Sequence, residues 1–229
     1  MSRNLAHLTA NWYVKRVQVG RVKTHIDEDG KPWETAIYKD RVETPIEVKK
    51  LGLVGDERTG YDLDRALCFV SLNHYHFWEA YFGREFPLGT FGENLTLLGG
   101  VDQRVCIGDI YQIGSVVMQV TQPRTPCYKQ AKKIGEPKFV KLIESTHRRG
   151  FLVRILQEGS LAVKDYVTLV ERPHPTANIV YVNRIVTEHS DVRLMEWLAN
   201  MDELAHDWRK KMQQMVEAHN ENAQSLNSN

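Results

Sequence analysis

Cysteine is scarce in this 229-residue chain. Three residues are too few for a disulfide framework, and an odd number leaves at least one thiol unpaired. Eight prolines, with 42% apolar and 26% charged residues, exclude a disordered or collagen-like chain. No run of about 18 apolar residues occurs, so no membrane-spanning helix is expected. Residues 1–11 are polar and lack the apolar core of a signal peptide. These absences point to a soluble, cytoplasmic protein. There is no Gly-x-Gly-x-x-Gly and no Gly-x-x-x-x-Gly-Lys-Ser/Thr, which removes the usual nicotinamide and nucleoside-triphosphate routes. No Gly-x-Ser-x-Gly elbow is present. Three dispersed cysteines cannot supply four thiolates to an iron–sulfur cluster. Without a Cys-x-x-Cys pair they do not form a zinc site with His74 or His76 either. Any redox chemistry here needs electrons from a partner.

What is present is unevenly distributed. The net charge is only +1, yet residues 121–154 carry nine basic side chains against Glu136 and Glu144. Residues 171–229 are acidic, with 9 acidic and 6 basic residues. A local basic excess suggests an anionic ligand, although a solvated helix face gives the same pattern. At 26.5 kDa the chain is one large domain, or one domain with an appendage.

Up to about residue 170 the apolar pattern mostly alternates. Val17 and Val19, then Ile46 and Val48, have the two-residue period of half-buried strands. Asp29-Gly30 is a hairpin dipeptide. Residues 66–71, 151–156 and 166–170 read as strands, and 105–120 as a hairpin bending at Gly114-Ser115. Short strands bounded by Gly and Asp suggest a barrel or twisted sandwich. Helices are expected over 73–82, N-capped by Asn73, and over 137–147, with Pro137 in the first turn. After Pro173 and Pro175 the period changes to helical. Ile179, Val182 and Val186 form one stripe, and Leu194, Trp197, Leu198 and Met201, capped by Ser190, form a second. Leu204, Trp208, Met212, Met215 and Val216 form a third, giving a three-helix unit.

The most informative stretch is Gln122-Pro123-Arg124-Thr125-Pro126-Cys127-Tyr128-Lys129. Two prolines stop the preceding strand and place Cys127 on a stiff loop. Flanking Arg124 and Lys129 favour the thiolate, which is both nucleophile and soft-metal ligand. A buried, inert cysteine is the ordinary alternative, and the reading assigned to Cys68 and Cys106. A second motif is Phe91-Gly92-Glu93-Asn94-Leu95, where glycine permits close approach and Asn94 offers donor and acceptor to a flat heterocycle. A tight turn leading into a strand fits those residues equally well. A third is His147-Arg148-Arg149-Gly150 with Arg154, in which arginine suits bidentate phosphate contact.

These motifs, with Val105-Cys106-Ile107-Gly108-Asp109, Gly52-Leu53-x-Gly55-Asp56 and Lys31-Pro32-Trp33, resemble the MOSC family (molybdenum cofactor sulfurase C-terminal domain). The similarity is to its stand-alone bacterial YiiM type and covers nearly the whole chain. It implies a mainly β fold, a MOSC-type β-barrel over 1–172 with a few inserted helices. A small three-helix domain over 176–220 and a frayed tail over 221–229 would follow. It also implies the molybdenum cofactor, a pyranopterin with a dithiolene and a phosphate. Cys127 would ligate molybdenum or carry transferable sulfur, with Arg124, Arg148 and Lys129 on the anionic group and Gly92, Glu93 and Asn94 at the pterin. One departure from the family pattern is Arg58-Thr59-Gly60-Tyr61, where members carry His-Gly-Gly.

The expected function is therefore a molybdenum-dependent reductase of N-hydroxylated compounds, including hydroxylaminopurine-type bases, served by a separate electron-donor protein. The alternative from another class is a sulfur or cofactor carrier using a Cys127 persulfide, without turnover. Neither membrane nor nucleic-acid binding is expected, since the basic segment lacks a recognised module. A homodimer is compatible with the sequence.

Overall fold

The structure, a computed structural model, describes residues 5–27, 29–57, 62–188 and 191–227. The alternating segments fold into β1 (Tyr13–Gly20), β2 (Lys23–Ile26), β3 (Pro32–Thr35), β4 (Lys39–Val42), β5 (Ile46–Lys49), β6 (Gly52–Leu53) and β7 (Leu67–Ser71). These are followed by β8 (Leu95–Leu98), β9 (Ile110–Ile113), β10 (Val116–Pro123), β11 (Phe151–Gln157), β12 (Gly159–Leu161) and β13 (Val167–Glu171). The helices are α1 (Leu72–Phe82), α2 (Tyr128–Ile134), α3 (Phe139–Thr146), α4 (Ile179–Glu188), α5 (Val192–Ala199) and α6 (His206–Asn227). None is long and apolar enough to cross a membrane among the described residues.

One eight-stranded sheet runs β13-β9-β10-β11-β7-β8-β1-β4, antiparallel except for β7 beside β8. β12-β5-β6 and the β2–β3 hairpin complete the strands. The fold is mainly β as expected, with inserted helices, but its sheet does not close into a complete barrel. β1 gives its C-terminal half to β4, with Val17 opposite Val42. Only its N-terminal end reaches back toward β13, where Val167 N–H donates to Trp12 O (3.0 Å) and Val14 N–H to Asp165 O (2.9 Å). A shift in the β1–β8 register between Val14 and Arg16 separates the two halves. The product is a mixed, coiled sheet carrying six helices.

Start and stop signals explain the helix boundaries. Ser71, not Asn73, caps α1 by accepting the Asn73 N–H, and Gly83 ends it in the left-handed conformation. α3 starts after Lys138, so Pro137 lies just outside the helix. Asp191 caps α5 by accepting the Arg193 N–H, and the expected cap Ser190 lies outside the described residues. α2 was not anticipated, because the prolines at 123 and 126 pointed to a loop. Yet Lys-Gln-Ala-Lys-Lys are good helix formers, and Gly135 stops them.

One continuous apolar cluster joins Val14, Leu67, Leu95 and Met118 of the sheet to Ile179, Val182 and Leu198 of the C-terminal helices. A separate, largely aromatic cluster, including Tyr75, Trp78, Phe91, Phe139 and Ile143, packs α1, α2 and α3 together with Val70 of β7.

Candidate functional site

β10 alternates at its start and is wholly buried at its end, because its register with β11 shifts between Val120 and Gln122. Thr121 and Gln122 are consequently both buried. Pro123 ends the ladder, and Arg124 N–H donates to Gly150 O at 3.0 Å, tying the two motifs together. Cys127 then sits at the start of α2. Its N–H donates to Gln130 Oε1 (3.0 Å), while its sulfur accepts the Gln130 backbone N–H.

Phe91 O is the meeting point of the distant motifs. Arg124 Nη2 donates to it at 2.6 Å and Gln130 Nε2 at 3.2 Å. The half-exposed Cys127 is thus held on a rigid junction of three chain segments. Cys68 and Cys106 are buried as expected, and burial with the nearby Asp109 carboxylate pushes the Cys106 thiol up to about 11. Cys106 lies outside the strands, in an isolated antiparallel bridge to Asn178 just before the turn that leads to β9.

Two polar atoms at this junction are buried without a partner, Arg124 Nη1 and Gln122 Oε1. Arg149 Nε is a third, farther along the turn that Arg124 touches through Gly150. Unpaired buried polar atoms of this kind are costly, and two of the nine among the described residues, on Gln122 and Arg124, fall within five residues of Cys127 along the chain. The donor set fits an anionic group with a soft metal: thiol sulfur, guanidinium and a carboxamide oxygen. No three His, Cys, Asp or Glu side chains come together as a metal site among the described residues.

The other expected site residues divide. Arg148 stacks its guanidinium 4.0 Å over the Phe77 ring. With Phe91, Gln130 and Arg149 it borders a void of about 10 Å³, which places it on the junction's side. Four others are engaged within the protein itself. Asn94 is buried, and its side chain accepts the Cys68 N–H (3.1 Å) and donates to Asp56 (3.0 Å), locking β7 to the β1 side of the sheet. Glu93 is buried too. Its Oε1 accepts Tyr75 O–H, Gly89 N–H and Thr96 O–H, while Oε2 has no partner. Gly92 has a φ of +76°, and an added Cβ would stand 2.5 Å from Ile37 Cγ1, so a side chain rather than a ligand approaches it. Lys129 extends to Glu34 O at 3.0 Å and clamps the β2–β3 hairpin.

Sequence reading missed Gln122, Gln130 and Lys133. The three-residue spacing of Cys127 and Gln130 was the available signal for a capping box. Lys133 was hidden among the basic residues. It is half-buried under the Gly89 loop, donating to Gly89 O (2.6 Å) and Ile37 O (3.0 Å). Burial lowers it to about 8; Glu93 opposes that, whereas Arg124 and Lys39 add to it. Close by, Lys39 and Asp56 form a buried ion pair at 2.6 Å. His74 is buried as well, 3.2 Å from Asp102, whose other oxygen accepts the Arg149 and Gly150 N–H groups. Arg154 pairs with Asp64 (2.9 Å) and donates to Glu203 O (3.1 Å), a link to the C-terminal helices. The departure over 58–61 lies outside the described residues.

The MOSC domain family matches residues 56–168. Protein YflK of Bacillus subtilis (strain 168) is 32% identical over 203 residues, 86% of this chain and 90% of that protein. A protein of Gibberella moniliformis (strain M3125 / FGSC 7600) named Reductase is 33% identical over 178 residues. The match takes in only 31% of that longer protein. The crystal structure of YiiM from Geobacillus stearothermophilus agrees with a TM-score of 0.77 at 35% identity, over 90% of this chain and 99% of that one. The chain belongs to the MOSC domain family and has the YiiM-type fold.

Proposed function

We propose that this protein holds a molybdenum cofactor at the Cys127 junction and reduces N-hydroxylated compounds with electrons from a separate protein. The observation that carries this reading is a half-exposed thiol at the start of α2, a helix that Gln130 ties to the same Phe91 O held by Arg124, with Arg124 Nη1 and Gln122 Oε1 buried and unpartnered in the residues just before it. Membership of the family and the name of the Gibberella relative support it.

In this reading Cys127 supplies the protein's sulfur ligand. Arg124, with Arg148 and Arg149 behind it, holds the anionic part. Gln122 Oε1 accepts from a donor on the pterin. When bound, the cofactor supplies two-electron redox chemistry to the site. The overall change is balanced: a hydroxylamine, two electrons and two protons give an amine and water. The chain itself offers no second thiol near Cys127 to store electrons, since Cys68 and Cys106 lie buried in the sheet and its turn. Gln130 keeps Cys127 in place, accepting its N–H on Oε1 and donating its own N–H to the Cys127 carbonyl oxygen, and its bond to Phe91 O fixes α2 to the neighbouring motif.

The test is metal analysis of full-length protein produced in a host that makes the cofactor. Near-stoichiometric molybdenum in wild type, with background in Cys127→Ser, is expected. Equal background in both would sink the reading. A persulfide on Cys127 seen by mass spectrometry, without molybdenum or hydroxylamine reduction, would replace it with a sulfur carrier.

A further inference from the structure

A cleft of about 460 Å³ lies between the β2–β3 hairpin and α2, within the range of small-molecule sites. Ile26, Asp27 and Trp33 line it on the hairpin side, and Tyr128 and Lys132 line it from α2. Cys127 does not line it.

The chain already seats one ammonium group here. Lys132 Nζ is 2.8 Å from Asp27 Oδ2 and 5.2 Å from the Trp33 ring centroid, over its face. A carboxylate and the face of an indole are the two contacts that hold an organic cation, and indole is the strongest aromatic receiver. Both are fixed by other parts of the structure. Asp27 Oδ1 accepts the Lys31 N–H at 2.8 Å and the Asp29 N–H at 3.1 Å, which turns Oδ2 toward Lys132. Trp33 packs beside His25 at 5.7 Å between centroids, and His25 stacks on Tyr38 at 4.0 Å. The hydrogen bonds from Lys132 and the Lys31 N–H lower Asp27, so its carboxylate is ionised at neutral pH. Lys132 is the mobile partner. It arrives on a flexible four-carbon stem, and its side chain is 37% exposed against 17% for Asp27.

Charge and shape narrow what else fits. The charged lining residues are Asp27 and Asp29 against Lys132, so the cleft becomes an acidic spot once the Lys132 ammonium swings out. An anion is repelled there. A neutral ring that displaced Lys132 would leave the Asp27 carboxylate without a counter-charge. The volume is much larger than one ammonium group, and Ile26 and Tyr128 are 67% and 61% exposed. Apolar surface beside a cation receiver suits a nitrogen that carries its charge on methyl groups.

We propose that this cleft binds a small quaternary ammonium ion in place of the Lys132 ammonium, with its nitrogen over Trp33 and against Asp27, and its methyl groups toward Tyr128 and Ile26. Lys132 is then a built-in competitor, seated when the ligand is absent and released when it is present. Binding requires neither Cys127 nor a cofactor.

The experiment is a titration of choline into full-length protein purified without cofactor, read by saturation transfer to the N-methyl proton signal. Saturable binding is expected, with dimethylbutanol, the uncharged carbon isostere, weaker by about tenfold or more. Asp27→Asn and Trp33→Leu should each weaken choline about tenfold. Lys132→Ala should tighten it about threefold or more, because the competitor is gone and the receiver remains. A damaged fold does not produce that gain. Cys127→Ser should bind as wild type. Absence of saturable binding in both wild type and Lys132→Ala overturns the proposal. So does equal affinity for the uncharged isostere, or unchanged or weaker binding in Lys132→Ala. Binding to phosphatidylcholine vesicles without binding to free choline also overturns it, since the ligand would then be a membrane headgroup.

Discussion

Lys133 has exchanged water for two carbonyls and a crowd of other charges, and its proton is held loosely as a result. Burial is the largest cause, and the value falls from 10.5 to about 8. Between those two pH values the unfolded chain binds more protons at this position than the folded one, so folding stability rises with pH through that window. Below pH 8 the penalty is present in full. Lys133→Met removes the titration. Relative to that variant, wild type should gain on the order of 2 kcal/mol from pH 8 to 10.5, allowing for partial solvent access. Urea unfolding of both proteins across that range checks it, and parallel curves would contradict it. Individual residues were only partly legible in the sequence. Cys127 stood out through its prolines and Arg124. Lys133 looked like any other solvated lysine, because burial under the Gly89 loop depends on a fold the local sequence does not express. Asn94 and Glu93 were ambiguous for the opposite reason, since polar side chains that brace a sheet have the same composition as polar side chains that face a ligand.

Elements were more legible than residues wherever an apolar period stated them. The β9–β10 hairpin follows from its turn residues, the strands at 67–71 and 151–157 from short apolar runs, and the C-terminal helices from their stripes. α2 escaped because two nearby prolines outweighed seven residues of good helical sequence. The junction between elements can be probed at Gly150, which leads into β11. Its φ is +75°, and an added Cβ would stand 2.2 Å from Phe69 O of β7, whose strand cannot retreat without breaking its pairing. Gly150→Ala should therefore cost about 2–4 kcal/mol. Because Gly150 O holds the Arg124 N–H, the same variant should also change the rate at which iodoacetamide alkylates Cys127. Thermal melting and mass-spectrometric labelling test the two effects together. An unshifted midpoint would show that the backbone relaxes around the methyl group.

At the scale of the whole molecule, the change of period after Pro175 announced a helical unit but not what it covers. That depends on bonds between residues far apart in the chain. Ile107 N–H donates to Ala177 O (2.9 Å), Ile179 N–H to Val105 O (2.9 Å) and Ala205 N–H to Thr121 O (3.0 Å). Around them Ile179, Val182, Leu198, Leu204 and Met212 are completely buried. At about 1.5–3 kcal/mol each, their burial is worth roughly the net stability of an ordinary domain. Deleting residues 176–229 should consequently give insoluble protein on expression, followed by fractionation and light scattering. A soluble fragment with a cooperative melt would show that the sheet supports itself.

The bond from Ala205 to Thr121 also sets a schedule. β10 leaves the ribosome more than eighty residues before the helix turn that completes its surroundings, a delay on the order of ten seconds at ordinary rates of synthesis. Throughout that interval the apolar face of the nascent sheet has no cover. Production of this protein should accordingly follow the supply of chaperones that shield emerging chains, even though the finished molecule covers that face with its C-terminal helices.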